Sequence, residues 1–166
     1  HDGYDVSTFS VIKGTSTKQW HLMKWERLCH ELKKAYPDHK IIQLGSKSSR
    51  QVYAADVCML NKTTITEAFD ILGKSALHID GDSGLAHAAT AMGVPCVVMF
   101  GPTPADFYGY EQNENIRSTK PCKTACYWVD KDWMSKCVMG FNTPKCMDEI
   151  TVERVMESVR KKAPGT

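Results

Sequence analysis

Helix-like and strand-like hydrophobic patterns alternate along the first two thirds of the chain. Residues 4–12 alternate apolar and polar positions and run into Lys13-Gly14, which predicts a strand followed by a loop. Trp20, Met23, Leu28, Leu32 and Ala35 then recur at helical spacing, with Trp25 and Cys29 flanking that face, and Pro37 ends the helix. Residues 40–44 form a short apolar run stopped by Gly45-Ser46, a buried strand entering a polar loop. Residues 50–60 read as a helical turn and then a weak strand at 57–60. Residues 66–72 predict a helix opened by a hydroxyl cap and closed at Gly73.

The pattern is clearest between residues 76 and 104. A strand at 76–80, a tight loop at 81–84 and a helix at 85–92 with Gly93 just past its end precede a β-branched strand at 94–100. Gly101-Pro102-Thr103-Pro104 makes the next loop. Beyond Asn113 the periodicity fades into a cysteine-bearing loop at 120–147, and an amphipathic helix at 151–161 closes the chain with Val152, Val155, Met156 and Val159 on one face. Strands alternating with helices predict one α/β domain over residues 1–166, a Rossmann-like parallel sheet with helices on both faces. Ligands of such sheets sit beyond the carboxyl ends of the strands, where the loops 14–18, 81–84 and 101–103 would meet.

Composition narrows the field. With 166 residues, 42% hydrophobic and 24% charged, the chain suits a single well-buried domain. A net charge of +2 is too small to suggest a nucleic-acid or anionic-membrane binder by its field alone. The longest apolar stretch, residues 94–100, is far short of the roughly 20 residues of a membrane-spanning helix. No apolar signal segment follows the N-terminus, and the chain begins on His1, as a processed chain or a piece of a longer one would.

Two loops carry candidate chemistry. Asp82-Ser83-Gly84-Leu85-Ala86-His87 joins a strand to a helix, where a hydroxyl, an open glycine and first-turn N–H groups suit an anion. His87 lies one turn beyond Ser83 on the same face. The same residues would also suit an ordinary helix cap beside a half-exposed histidine. Thr15, Ser16, Thr17 and Lys18 place hydroxyls and an ammonium after the first strand, a set that suits a diphosphate or a plain capping loop. No Walker loop and no Gly-x-Gly-x-x-Gly is present, which disfavours a nicotinamide oxidoreductase.

The run Leu77-His78-Ile79-Asp80-Gly81-Asp82-Ser83-Gly84-Leu85-Ala86-His87-Ala88-Ala89, then Gly93-Val94-Pro95 and Met99-Phe100-Gly101-Pro102-Thr103, resembles the signature of glycosyltransferase family 9, the heptosyltransferases. The 14–18 loop before Trp20, and Cys146-Met147-Asp148-Glu149-Ile150-Thr151 before the last helix, resemble further segments of that family. The resemblance implies the second half of a GT-B enzyme, which binds a nucleotide-diphospho-sugar donor, an ADP-sugar foremost. Thr15, Ser16, Lys18, Asp82, Ser83, Gly84 and His87 match its donor-binding positions. It further implies inverting transfer without a divalent metal, in lipopolysaccharide or surface glycan assembly. The catalytic carboxylate and the glycan or glycolipid acceptor would belong to an N-terminal domain that precedes these residues. The full-length enzyme would work in the cytoplasm, peripherally at the inner face of the inner membrane. The loop Gly45-Ser46-Lys47-Ser48-Ser49-Arg50 lacks the carboxylate that family members often place near the ribose.

Seven cysteines divide into two groups. Cys29, Cys58 and Cys96 sit in apolar segments and read as core residues, whereas Cys122, Cys126, Cys137 and Cys146 cluster late in the chain. Their spacing, C-x3-C-x10-C-x8-C, leaves a structural zinc or iron, two disulfides or free thiols open. Heptosyltransferases that modify autotransporter proteins are similar in holding iron with cysteines near this part of the chain, although their spacing differs. The alternatives are a non-catalytic nucleotide- or partner-binding Rossmann-like module and, as the resemblance also implies, a protein-modifying heptosyltransferase of the autotransporter type.

Overall fold

The strand Cys96–Phe100 is buried along its whole length, and its alternate side chains show how the molecule is layered. Val97 and Met99 enter one apolar core, while Cys96, Val98 and Phe100 enter another on the opposite face. A strand buried on both sides needs apolar residues at every position, which is why this segment shows no alternation. The computed structural model describes residues 6–9, 17–118, 122 and 125–163. Among them, β1 (Val6–Phe9), β2 (Lys40–Gln43), β3 (Val57–Cys58), β4 (Leu77–Gly81), β5 (Cys96–Phe100) and β6 (Glu114–Arg117) form one sheet. All its pairings are parallel and the order is β3-β2-β1-β4-β5-β6, as the Rossmann-like expectation requires.

Helices cover both faces. On one side α1 (Leu22–Ala35) buries Trp25, Leu28, Cys29 and Leu32 against α6 (Val152–Lys162), which contributes Val152, Val155, Met156 and Val159. Each such fully buried aliphatic side chain adds about 2 kcal/mol through lost water contact. On the other side α2 (Ile65–Gly73) and α3 (Gly84–Ala91) supply Leu72, Ala86 and Ala89. Side chains cap four starts: His21 for α1, Thr64 with Glu67 as a capping box for α2, Ser83 for α3 and Thr151 for α6. Gly93 follows α3 at φ +74°, and Val94 N–H reaches back to Ala89 C=O at 3.0 Å. That left-handed turn is where a side chain would strain the backbone, so the glycine stops the helix and releases β5.

Several boundaries differ from the sequence reading. Trp20 precedes α1 instead of opening it, β3 is two residues long, and residues 50–56 form turns without a helix. Gly73 lies inside α2, whose C-cap is Lys74. The strand β6 and the short helices α4 (Ala105–Tyr108) and α5 (Lys145–Asp148) carry no periodic signal. In β6 only Ile116 is buried, as suits a polar edge strand. Part of the expected first strand, and Gly14, Thr15 and Ser16, lie outside the described residues.

The topology fixes where a ligand can enter. α1 follows β1 on one face of the sheet and α3 follows β4 on the other, and β1 and β4 are neighbours, so the order changes sides there, the switch point beside which ligands of open parallel sheets bind.

Candidate functional site

Lys18 and the segment Asp82-Ser83-Gly84 meet at that switch point. The Lys18 ammonium lies 2.7 Å from Asp82 Oδ2 and also donates to the Asp82 carbonyl at 3.2 Å. The indole of Trp133 lies beside the same ammonium, 5.5 Å from nitrogen to ring centre. Asp82 is 6% exposed, and its other oxygen faces His87 Nε2 at 3.6 Å. Tyr110 Oη sits 3.0 Å from His87 Nδ1, with the two rings edge to face at 5.6 Å. A connected polar chain therefore runs Lys18–Asp82–His87–Tyr110 along the carboxyl edge of the sheet.

Ser83 plays a different part from the one its hydroxyl suggests. Its hydrogen is donated to Asp80 Oδ2 at 2.5 Å, while its oxygen accepts from Ala86 N–H at 3.2 Å. Asp80 is 2% exposed and also accepts from Gly81 N–H at 2.8 Å. The hydroxyl thus braces the start of α3, and the N–H groups of Gly84 and Leu85 remain as first-turn donors without an intrahelical acceptor. The space around Gly84 is open: a Cβ built there would meet nothing within 4 Å. Backbone donors, an open glycine and a nearby ammonium together suit a phosphate.

The structure thus brings Lys18, Asp82, Ser83, Gly84 and His87 together; Thr15 and Ser16 lie outside the described residues. Thr17 is turned away, its hydroxyl donating to Trp133 C=O at 2.5 Å and its N–H to Met134 C=O at 3.1 Å. Tyr110, Asp80 and Trp133 were not legible as site residues. Asp80 falls inside an apolar strand, and the two aromatics lie in segments without periodicity. A groove of about 660 Å³ opens beside the Lys18 loop, lined by Gln19, His21, Arg50, Lys136 and Phe141 among others, but Lys18 and Asp82 are not in its wall.

Rings from α4 and from the segment 127–133 join into a strip beside the site. Phe107, Tyr108, Tyr127, Trp128 and Trp133 touch edge to face with centres 4.8–5.5 Å apart. The bond to Tyr127, aided by burial and the nearby charges of Tyr127 and Asp82, pushes the Tyr108 phenol up to about 12.

The four late cysteines are free thiols. Burial raises the Cys126 thiol and pushes Cys146 up to about 11; Cys122 and Cys137 add to the rise at Cys126, and Cys122, Cys126 and Cys137 to that at Cys146. The Val138 N–H points at the Cys126 sulfur and partly offsets that rise. The four sulfurs thus share one electrostatic neighbourhood. Among the described residues, however, no three His, Cys, Asp or Glu side chains are drawn together as a formed metal cage.

Comparison with known proteins places these features in a family. The profile of Glycosyltransferase family 9 (heptosyltransferase) matches residues 9–132. No curated protein matches the chain. Among solved structures, a glycosyl transferase family 9 protein from Veillonella parvula DSM 2008 aligns with TM-score 0.73 at 19% identity, over 98% of this chain and 47% of that one. The E. coli heptosyltransferase WaaC with ADP gives TM-score 0.71 at 16% identity, over 98% and 45%. The iron-containing dodecameric glycosyltransferase TibC from enterotoxigenic E. coli H10407 gives 0.74 at 17%, over 94% and 44%. The chain spans under half the length of these structures.

Proposed function

Since the chain belongs to glycosyltransferase family 9 (heptosyltransferase), we propose that it is the donor-binding half of a two-domain glycosyltransferase. The donor is a nucleotide-diphospho-sugar, an ADP-sugar first, used to build lipopolysaccharide or another surface glycan. The observation that carries this reading is the meeting of Lys18 with Asp82, just before the first turn of α3, at the carboxyl edge of the sheet. Gly84 and Leu85 N–H groups and the Lys18 ammonium would hold the diphosphate, with Ser83 fixing the turn and His87 beside it; Thr15 and Ser16 belong to the same proposed set. Charge that develops on a departing nucleotide diphosphate is stabilised by such fixed donors, so inverting transfer needs no divalent metal here. The base that activates the acceptor would come from the preceding domain, and the chain by itself should transfer no sugar. Measurable transfer by the 166 residues alone would reject the two-domain reading. Titration with ADP-, UDP- and GDP-glucose, followed by amide NMR shifts at Lys18 and residues 83–87, tests the donor site directly.

Among the described residues no helix is long and apolar enough to cross a membrane. In this reading the full enzyme meets its glycolipid acceptor peripherally, from the cytoplasmic side of the inner membrane.

A structural zinc or iron on Cys122, Cys126, Cys137 and Cys146 is a second element of the proposal. Its support is donor chemistry: four soft thiols in one part of the chain, and an N–H aimed at one sulfur, in a loop with little apolar core. A bound cation would displace the thiol protons and tie the loop down. Elemental analysis of reduced protein should find close to one metal per chain; none, with four titratable thiols, would end this part while leaving the donor site untouched.

A further inference from the structure

We propose that filling this site moves a proton as well as an anion. When a nucleotide diphosphate draws Lys18 away from Asp82, His87 takes up a proton from solvent and replaces Lys18 as the counter-ion of Asp82. The inference rests on the donor-site reading above and adds a pH-sensitive device to it.

The argument starts from Asp82. Its carboxylate is 6% exposed and has a different neighbour on each oxygen, Lys18 on Oδ2 at 2.7 Å and His87 on Oδ1 at 3.6 Å. A diphosphate seated on Gly84 and Leu85 competes for the same ammonium. Phosphate is the stronger claimant, since it brings more charge to a point donor. A buried carboxylate left without its cation is costly, and the incoming negative charge worsens its position. The group best placed to become positive is His87, the only ionisable side chain of α3.

The surroundings of His87 suit this exchange. A carboxylate facing Nε2 favours the tautomer with hydrogen on that nitrogen, which leaves Nδ1 to accept from the Tyr110 hydroxyl. When Nδ1 gains the proton, the hydroxyl turns and accepts instead, so the ring need not move. Tyr110 is therefore a positioning residue for the switch. The other groups that line the small crevice at His87 include Tyr108 and Asn113, and neither brings a competing charge near neutral pH. Asp80 is turned toward Ser83 and Gly81. One proton enters from buffer for each site that exchanges fully. Donor affinity should then fall as pH rises through the neutral range, by at most about tenfold per pH unit for a single proton.

Calorimetry with ADP-glucose tests this. Its diphosphate is esterified at both ends and has no proton to exchange near neutral pH, unlike ADP. Titrated in buffers of unlike ionisation enthalpy, the wild-type chain should give heats that reveal net proton uptake. His87→Gln should bind without that uptake. Tyr110→Phe should require a lower pH to reach it, because the charged ring loses its acceptor. In the wild type, the His87 ring resonances should move to their protonated positions when ADP-glucose is added at constant pH, a readout that needs no variant. Binding with buffer-independent heat and unmoved ring resonances overturns the inference alone. Uptake that persists in His87→Gln overturns the assignment to His87. Failure of ADP-, UDP- and GDP-glucose to bind at all overturns the donor-site reading beneath it.

Discussion

The segment from β4 to β5 and the segment from residue 125 to 148 are of similar length, but they are held in different ways. The first places a strand, a helix and a strand against two apolar cores, and β5 is buried at every position. The second contains one 3-10 turn, Cys126–Trp128, and the four-residue α5. Its buried apolar side chains are Cys126 and Met147, while Trp128, Val129, Met134 and Met139 are each more than half exposed. Ring edges, thiols and backbone bonds to Thr17 stand in for a core there. A periodic apolar pattern specifies position through burial, whereas a segment without one is positioned by individual contacts that leave no period to read.

The largest test of this contrast is at the join between the two. Trp20 is 2% exposed, stands edge-on to Trp25 at 5.1 Å and donates its indole N–H to Ile150 C=O at 2.8 Å. Trp20→Ala should cost about 3–5 kcal/mol of folding stability, read from urea denaturation. A loss under about 1 kcal/mol would show that the core on this face tolerates the void and that burial is not what orders the join.

Lys18→Ala comes next. It removes a charged donor from the sheet edge, and binding of ADP-glucose should weaken by about 1.5–3 kcal/mol. Stability should fall as well, because Asp82, 6% exposed, loses the cation on its Oδ2, so affinity is compared under conditions where both proteins are folded. Unchanged affinity for every nucleotide sugar tested would move the donor site away from this edge, toward the groove by Arg50 and Phe141.

Legibility follows the same divide. The order of strands and helices up to β5 was readable largely because α1, β2, α2, β4, α3 and β5 bury apolar residues, and the Asp82–His87 loop was readable because it interrupts that pattern with polar residues at a strand-to-helix turn. Its internal assignments were harder. Ser83 reads as a phosphate donor until Asp80, buried one turn earlier in β4, is seen to hold its hydrogen. Tyr110 meets His87 only because the chain turns back after α4, and a Tyr-Gly-Tyr segment gives no sign of that. β6 escaped notice because an edge strand with one buried residue hardly alternates.

Ser83→Ala sharpens that point. As a plain phosphate donor, Ser83 could be lost without harm to the fold. As the N-cap of α3 and a partner of a buried carboxylate, its removal should lower stability by about 1–2 kcal/mol even without ligand. Comparison of melting curves for the free wild type and variant decides between the two roles, and equal stability would return Ser83 to the ligand.

The smallest effect compares one thiol from each region. Burial pushes Cys29, in the α1 core, up from 9.0 to about 12, and Cys146, in the late loop, up to about 11. A thiol whose value is raised on folding stays protonated in the native chain, while the unfolded chain ionises above about 9. Its contribution is therefore complete below that value and is lost as pH climbs toward the folded one. For Cys29, 1% exposed, the loss between pH 8 and pH 10 should be about 1 kcal/mol. Cys146 is partly open to solvent, so in metal-free, reduced protein its share should be smaller, and Cys146→Ser should leave most of the pH dependence in place. If that variant instead abolishes the dependence, the late loop is packed as firmly as the α1 core. The contrast between a region held by burial and a region held by separate contacts would then fail at the residue where it is easiest to measure.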